Sequence, residues 1–504
     1  MFARLARWLG IDRSASRPRR LQARYDAAAN TAQDRQNWLH ADDLAPDAAA
    51  SPEVRRTLRM RGRYEQFNNP YTDGMLQTLA GDIVGICPTL QMLTRDEQVD
   101  QYIEEEFADW ADAVQLGEKL RILVETRAAV GEAFAILGAN PQLPTPVKLD
   151  ATLLEPDQVA TPQLGLIDDD RHVDGIVYDR WNNPREYHVL RQHPGDTRFL
   201  TVGPWDYQRI PAADMLHLYK VRRPGQRRGI PQITSSLPLF AERRGMRRAV
   251  LAAARKAAEM GAVMLETDAP ADPDEADNPD AFDTLEIDPG MMTVLPGGAK
   301  AKQLEPTQPA TTYREWDDKL INEQARPLNM PFNIAACNSS EYNYASGRLD
   351  HQTYDRAIEI DHSEVELKLL NRILARWLQE ALLIPGYMYA RTGALTSRRL
   401  PHQWLWRPRP HVDPQKEADS QRTRLESLTA TLTEELARQG KDLESHLATL
   451  ARERALLRQY GLSMPTTTTP APAAPEPDDE EPAQPARQRS VAGRNGHGRL
   501  GGRS

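Results

Sequence analysis

Cysteine and aromatic side chains are both scarce in this chain, and it has no long apolar run. Its only cysteines are Cys87 and Cys337, too few for a disulfide framework, which points to a reducing compartment. Hydrophobic residues make up 40% of the 504 positions, aromatics 6% and charged residues 27%. The length allows two to four domains, but this composition is dilute for one compact globule and suits an elongated, helical or ring-forming subunit. No stretch approaches the roughly 18 uncharged apolar residues of a membrane span. The basic N-terminus, Met1 to Arg24, is followed by no apolar run, so no cleaved signal peptide is expected.

Catalytic motifs are missing as well. A motor ATPase needs a phosphate cradle that ends in Gly-Lys-Ser/Thr, and the nearest text, Pro296 to Lys300, has neither the spacing nor the magnesium ligand. The histidines are scattered without a metalloprotease or Cys/His pattern, so neither a zinc site nor any other cofactor is expected. Asp272 to Asp277 puts alanine at a calcium-ligand position and lacks the glycine turn. Asp168, Asp169 and Asp170 are consecutive, so in a strand they do not share a face. No nucleophile elbow is present, and no enzymatic activity is expected.

What the chain does have is charge in blocks. The net charge of −9 hides eleven basic side chains between Lys220 and Lys256 against one acid, Glu242. The following 43 residues, 257–299, hold eleven acids and neither Lys nor Arg. Such blocks say more about partners than the total does.

Hydrophobic periodicity predicts helices over much of the chain. They fall between Pro52 and Gly85 with a break at Asn68 to Tyr71, at 97–112, 115–130, 235–262 and 312–326, and over some forty residues ending at Pro385-Gly386. The last carries an apolar stripe of Val365, Leu369, Ile373, Trp377 and Ala381. Residues 131–219 read as short strands between Asp/Asn/Gly/Pro turns, and a hairpin is expected around Pro289-Gly290. Two or three further helices are expected from Pro414 to Tyr460, with Thr433 and Asp442 as N-caps and Gly440 and Gly461 as stops. The text after Ser463 is too polar to order itself and reads as a disordered tail. The fold class is therefore α+β and mainly helical.

Five stretches, in order, carry a family resemblance. The first is Arg63–Gly74 (RYEQFNNPYTDG) with Leu79–Gly85 (LAGDIVG), and the second Ile210–Leu218 (IPAADMLHL) with Arg223–Pro231 (RPGQRRGIP). The third is Leu285–Met291 (LEIDPGM) with Leu295–Gly298 (LPGG), the fourth Tyr342–Arg348 (YNYASGR), and the fifth Trp404–Arg407 (WLWR) with Val412–Ala418 (VDPQKEA). Across residues 55–462 the chain resembles lambda-type tailed-phage portal proteins, the head-tail connectors. It departs at Ala345 and Gly347, where the family often has serine and alanine.

The resemblance implies a homo-oligomeric ring, a dodecamer, at one capsid vertex of the virion, assembled in the bacterial host cytoplasm. It implies an N-terminal arm at 1–50, a wing at 51–234, a first stem helix at 235–262, a clip at 263–309 and a second stem helix at 310–330. A channel loop follows at 331–346, then the long helix and wing return at 347–412, crown helices at 413–462 and the disordered tail at 463–504. Implied partners are the large terminase subunit, which carries the ATPase, a head-completion or tail adaptor protein, the major capsid protein and scaffold, and double-stranded DNA that passes through without sequence recognition. No membrane is implied. The rival classes are a capsid or tail-tube protein, which tends to be richer in strands, and a terminase-like motor, which needs the missing phosphate loop.

On this reading the channel loop of Asn338, Ser339, Ser340, Glu341, Tyr342, Asn343 and Tyr344 touches DNA through amide and hydroxyl groups; the alternative is an ordinary helix connection. The clip acids Asp272, Asp274, Glu275, Asp277 and Asp280 face the lumen or the terminase, or serve only solubility. The stem arginines Arg243, Arg244, Arg247 and Arg248 share one broad helix face. They touch DNA or terminase, or they pair with Glu315, Asp317 or Glu323 of the adjacent subunit, which is the favoured reading. Trp404 and Trp406 are expected in the core or a subunit interface rather than stacking on bases, and both cysteines are expected to be small buried hydrophobes. The tail arginines, Arg487 to Arg503, either meet packaged DNA or a scaffold, or have no role.

Overall fold

The computed structural model describes residues 38–39, 41–94, 96–161, 171–196, 207–259, 263–267, 299–303, 313–340, 343–388, 400–407 and 414–462. The chain forms two compact units, one up to Lys441 and one from Asp442.

In the first unit, α1 (Pro52–Asn68) starts where Ser51 accepts a hydrogen bond from the Val54 amide, with Pro52 at the first helical position. Pro in that place gives up an amide that has no intrahelical acceptor anyway. The same device, Asn69 before Pro70, starts α2 (Pro70–Val84), which ends at Gly85 with φ of 62°. Strand β1 (Thr89–Met92) leads to α3 (Glu97–Ala113) and α4 (Leu116–Val130). Helix α4 buries Leu116, Leu120, Leu123, Val124 and Ala128 and packs against α1, α2 and the first large sheet.

That sheet joins β2 (Glu132–Ala139) and β3 (Leu149–Leu154) to β8 (Met215–Tyr219) in the order β3-β2-β8, all antiparallel. Between β3 and β8 lies a second antiparallel sheet of β4 (His172–Val173), β5 (Ile176–Tyr178), β6 (Pro184–Leu190) and β7 (Tyr207–Pro211). It has a small core of its own around Val159, Ile176, Tyr187 and Ile210. The sequence reading of 131–219 as short strands matches these elements.

Helix α5 (Leu237–Glu259) and α6 (Tyr313–Ala325) bracket an antiparallel pair, β9 (Val263–Thr267) with β10 (Ala299–Gln303). The hairpin expected around Pro289-Gly290 lies outside the described residues. The long helix runs without interruption from Tyr344 to Leu383, as α7 (Tyr344–Val365), a single π turn (Glu366–Leu370) and α8 (Asn371–Leu383). Its stripe of Val365, Leu369, Ile373, Trp377 and Ala381 is buried as expected. Trp377 meets Phe107 edge-on at 5.3 Å, and Phe107 meets Trp404 at 5.7 Å. Strand β11 (His402–Leu405) pairs with β1 and brings Trp404 into that cluster. The indoles of Trp404 and Trp406 donate to Asn371 and Glu366 of the long helix, at 2.9 and 2.6 Å. Both tryptophans therefore belong to the chain's own packing.

Helices α9 (Pro414–Glu426) and α10 (Leu432–Arg438) close the first unit. The N-cap of α10 is Thr431, not Thr433, because the box needs a glutamate three residues on, and Glu434 supplies it. The second unit is described as α11 (Leu443–Gln459), which starts after Asp442 and ends ahead of Gly461 with φ of 66°. Cys87 is half-buried, and burial pushes its thiol up to about 11. Cys337 departs from expectation: it is exposed, at a turn position with φ of 51°.

Candidate functional site

The basic block divides by what each side chain reaches. Arg228 is wholly buried and forms a two-pronged pair with Glu132, Nη2 to Oε1 at 2.7 Å and Nε to Oε2 at 2.9 Å. The Gly229 amide and the His217 ring add contacts to Glu132 at 3.0 and 3.2 Å, and Arg59 one at 3.4 Å. Two glycines bring these groups together. A Cβ on Gly131 would lie 2.6 Å from the Ile230 carbonyl carbon, and one on Gly229 would lie 2.2 Å from the Gly131 oxygen. The two backbones touch, so Glu132 and Arg228 meet next to the crossing. Burial alone raises the Glu132 carboxyl, but Arg228 and His217 outweigh it and hold the group well below the usual carboxylate range. Arg228 also reaches Asp174, which Arg55 holds from the other side.

This knot ties α1, β2, β8 and the second sheet into one body. The sequence shows only a basic stretch at Arg55, Arg56, Arg59, Arg61 and Arg63. The missed signal is the four-residue spacing of Arg55, Arg59 and Arg63, which puts those three on one helix face. A second buried set joins Arg127 to Asp361 at 3.1 Å and Lys220 to Asp361 at 2.7 Å, beside Glu364 and Lys368.

Arg243 and Arg244 are also held within the chain. Arg243 forms two bonds to Asp317 of α6, at 2.6 and 2.8 Å, and lies over the Tyr71 ring. Arg244 holds both oxygens of Glu65 at 2.6 and 2.7 Å. The expected pairing of these two with an adjacent subunit is thereby corrected: their carboxylates are close in space, though distant in sequence. Arg247 and Arg248 behave differently, for they are exposed and have no ion-pair partner among the described residues. With Asn69, Leu251 and Tyr313 they border a groove of about 450 Å³.

The candidate channel loop follows a one-turn helix, Phe332–Ala335. Asn338, Ser339, Ser340 and Asn343 are exposed. The Asn338 carboxamide oxygen accepts from the Ser340 amide at 3.0 Å and its hydroxyl at 2.7 Å, and so shapes the turn. Tyr344 is already the first residue of α7. Glu341, Tyr342 and the Tyr344 side chain lie outside the described residues, as do Asp272, Asp274, Glu275, Asp277 and Asp280.

Among the described residues one group, Glu155, Asp157 and His193, brings three potential metal-ligand atoms within 4.8 Å of one another. Both carboxylates are taken by Arg63, and Asp157 also by Arg59 at 2.9 Å. The charge a cation would supply is already there.

Among the described residues the buried ion pairs join distant elements of the chain, and Arg247 and Arg248 lie exposed on α5. The model of the family described as "Phage portal protein, lambda family" matches residues 33–361, and the chain belongs to that family. It is 24% identical over 455 residues to the "Probable portal protein" of Halomonas phage phiHAP-1, covering 85% of this chain and 86% of that one. Among solved structures it is similar to a chain in the neck of a native gene transfer agent particle computed with C12 symmetry. That likeness has 14% identity and a TM-score of 0.43, over 78% of this chain and 94% of that chain. An HK97-family phage portal protein from Corynebacterium diphtheriae matches with 12% identity and a TM-score of 0.29, over 63% of this chain and 90% of that one.

Proposed function

We propose that this portal subunit is one protomer of a closed ring, a dodecamer at a single capsid vertex of the virion, and that double-stranded DNA enters and leaves through its centre. Family membership carries the reading. The molecule is compatible with it: α5 leaves most of its surface uncovered between Gly245 and Leu251, as a helix awaiting neighbours does.

In this reading 51–234 with 347–412 form the wing, 235–262 and 310–330 the stem, 263–309 the clip, 331–346 the channel loop and 413–462 the crown. The ring acts as a passive conduit and docking platform. A separate terminase subunit supplies ATP hydrolysis at the clip, a head-completion or tail adaptor protein joins the tail, and capsid protein and scaffold surround the wing. A conduit must admit a polyanion without holding it. Each phosphate neutralised by a cation adds affinity, so acids at 272–280 that repel DNA and neutral amides and hydroxyls at 338–340 that touch it lightly suit passage.

Negative-stain imaging of the purified protein tests this. Rings with a central hole wide enough for duplex DNA are expected. Filaments or closed shells would replace the portal ring with a tail-tube or capsid role.

A further inference from the structure

We propose that the outer face of α5 receives the outer face of α6 from a second copy of this chain, through opposite charges matched across a seam of small side chains. The inference rests on the ring reading and assigns the residues of its contact.

Within one chain α5 and α6 run antiparallel. Arg243 meets Asp317, the Ser236 hydroxyl donates to the Gln324 carbonyl at 2.9 Å, and the Gln324 amide donates to the Leu239 carbonyl at 3.0 Å. These contacts fix the side of each helix that its own partner occupies, and the Arg244–Glu65 pair sets α1 against one flank of α5. The α-helical period then places Ala241, Gly245, Arg248 and Ala252 on the far side of α5, and Glu315, Lys319 and Asn322 on the far side of α6. All seven residues are exposed.

The same contacts set relative height. Moving from Arg243 to Ser236 on α5 matches moving from Asp317 to Gln324 on α6. Arg248 therefore lies within a turn of the height of Glu315, and Glu242 lies at about the height of Lys319. Rotation about an axis along the helix pair keeps these heights. In adjacent copies Arg248 then faces Glu315, and exposed Glu242 faces Lys319. Each facing pair has opposite sign, and none of the four has an ion-pair partner among the described residues.

The seam between the two charge pairs is shallow. A Cβ built on Gly245 meets nothing within 4 Å, so nothing inside the chain requires glycine there. A neighbouring α6 that packs against Ala241 and Gly245 does require small residues. Because the two faces differ, the contact is heterologous, the type that closes into a ring when the rotation closes.

The full-length protein tests this by negative-stain imaging and light scattering. Gly245→Trp should keep wild-type helix content by circular dichroism and lose rings. Arg248→Glu should lose rings, and adding Glu315→Arg should restore them. In the wild-type background Gly245→Cys with Lys319→Cys should give a ladder of covalent multimers under oxidation, beyond that of either single variant. Wild-type rings with intact Gly245→Trp rings and no ladder would overturn this contact while the ring reading stands. If Gly245→Trp misfolds, the ladder alone decides. Loss of rings in Arg248→Glu without rescue would reassign Arg248 to another partner and overturn its pairing with Glu315. Wild-type protein that never forms rings would overturn both readings.

Discussion

Glu132 is the wholly buried acid at the centre of the Arg228 knot. Its carboxylate answers Arg228 and Arg59 at once, so Glu132→Gln leaves two guanidiniums short of a counter-charge in a dry setting. A loss of about 3–5 kcal/mol is expected in urea unfolding, the usual cost of breaking a buried pair from one side. The neighbouring His217 gives the same knot a pH dependence. Burial lowers its imidazole below the ordinary 6.5, against the pull of Glu132. The unfolded chain therefore takes up a proton that the folded chain refuses, and stability falls as pH drops below about 6.5. The Glu132 contribution persists until below about 4.5, because its folded carboxyl titrates lower than its unfolded one. His217→Gln should flatten the upper part of a melting-temperature profile and leave the lower part. An unchanged profile would assign the acid sensitivity to other groups.

At the scale of elements, helices were the legible part of the sequence. Asn69-Pro70, Gly85, Gly131 and Gly461 mark ends that backbone sterics enforce, so periodicity and punctuation placed α1 to α6 and α11 within a few residues. Partners across long sequence distance were not legible. Nothing local joins Arg243 to Asp317 or Arg228 to Glu132; only the folded path does, and the reading of one arginine face as one interface merged two residues paired within the chain with two that have no ion-pair partner among the described residues. The distinction between Arg244, held by Glu65, and Arg248, held by nothing described, sets which substitutions disturb folding and which disturb assembly. Cys337 shows the same limit in reverse. A small apolar side chain predicts burial, but a turn with positive φ left this one outside.

For the whole molecule, the loop after residue 331 separates two functions that the ring reading combines. Asn338 to Ser340 are exposed and bond chiefly among themselves, so removing 339–343 should leave ring formation unchanged. DNA packaging in an in vitro assay should change; normal packaging would make the segment a plain connector. Behind this loop runs the long helix with its π turn at Glu366–Leu370. A π turn accommodates one extra residue while the helix on either side keeps its phase. Leu367, 62% exposed within that turn, is therefore a spare tooth in the gear. Its deletion should be tolerated, with soluble protein melting close to wild type. Deleting exposed Glu359, about two turns earlier, turns everything before it by about 100° relative to the rest and should abolish folding. Chain length, usually the least negotiable property of a buried helix, is here adjustable at one place.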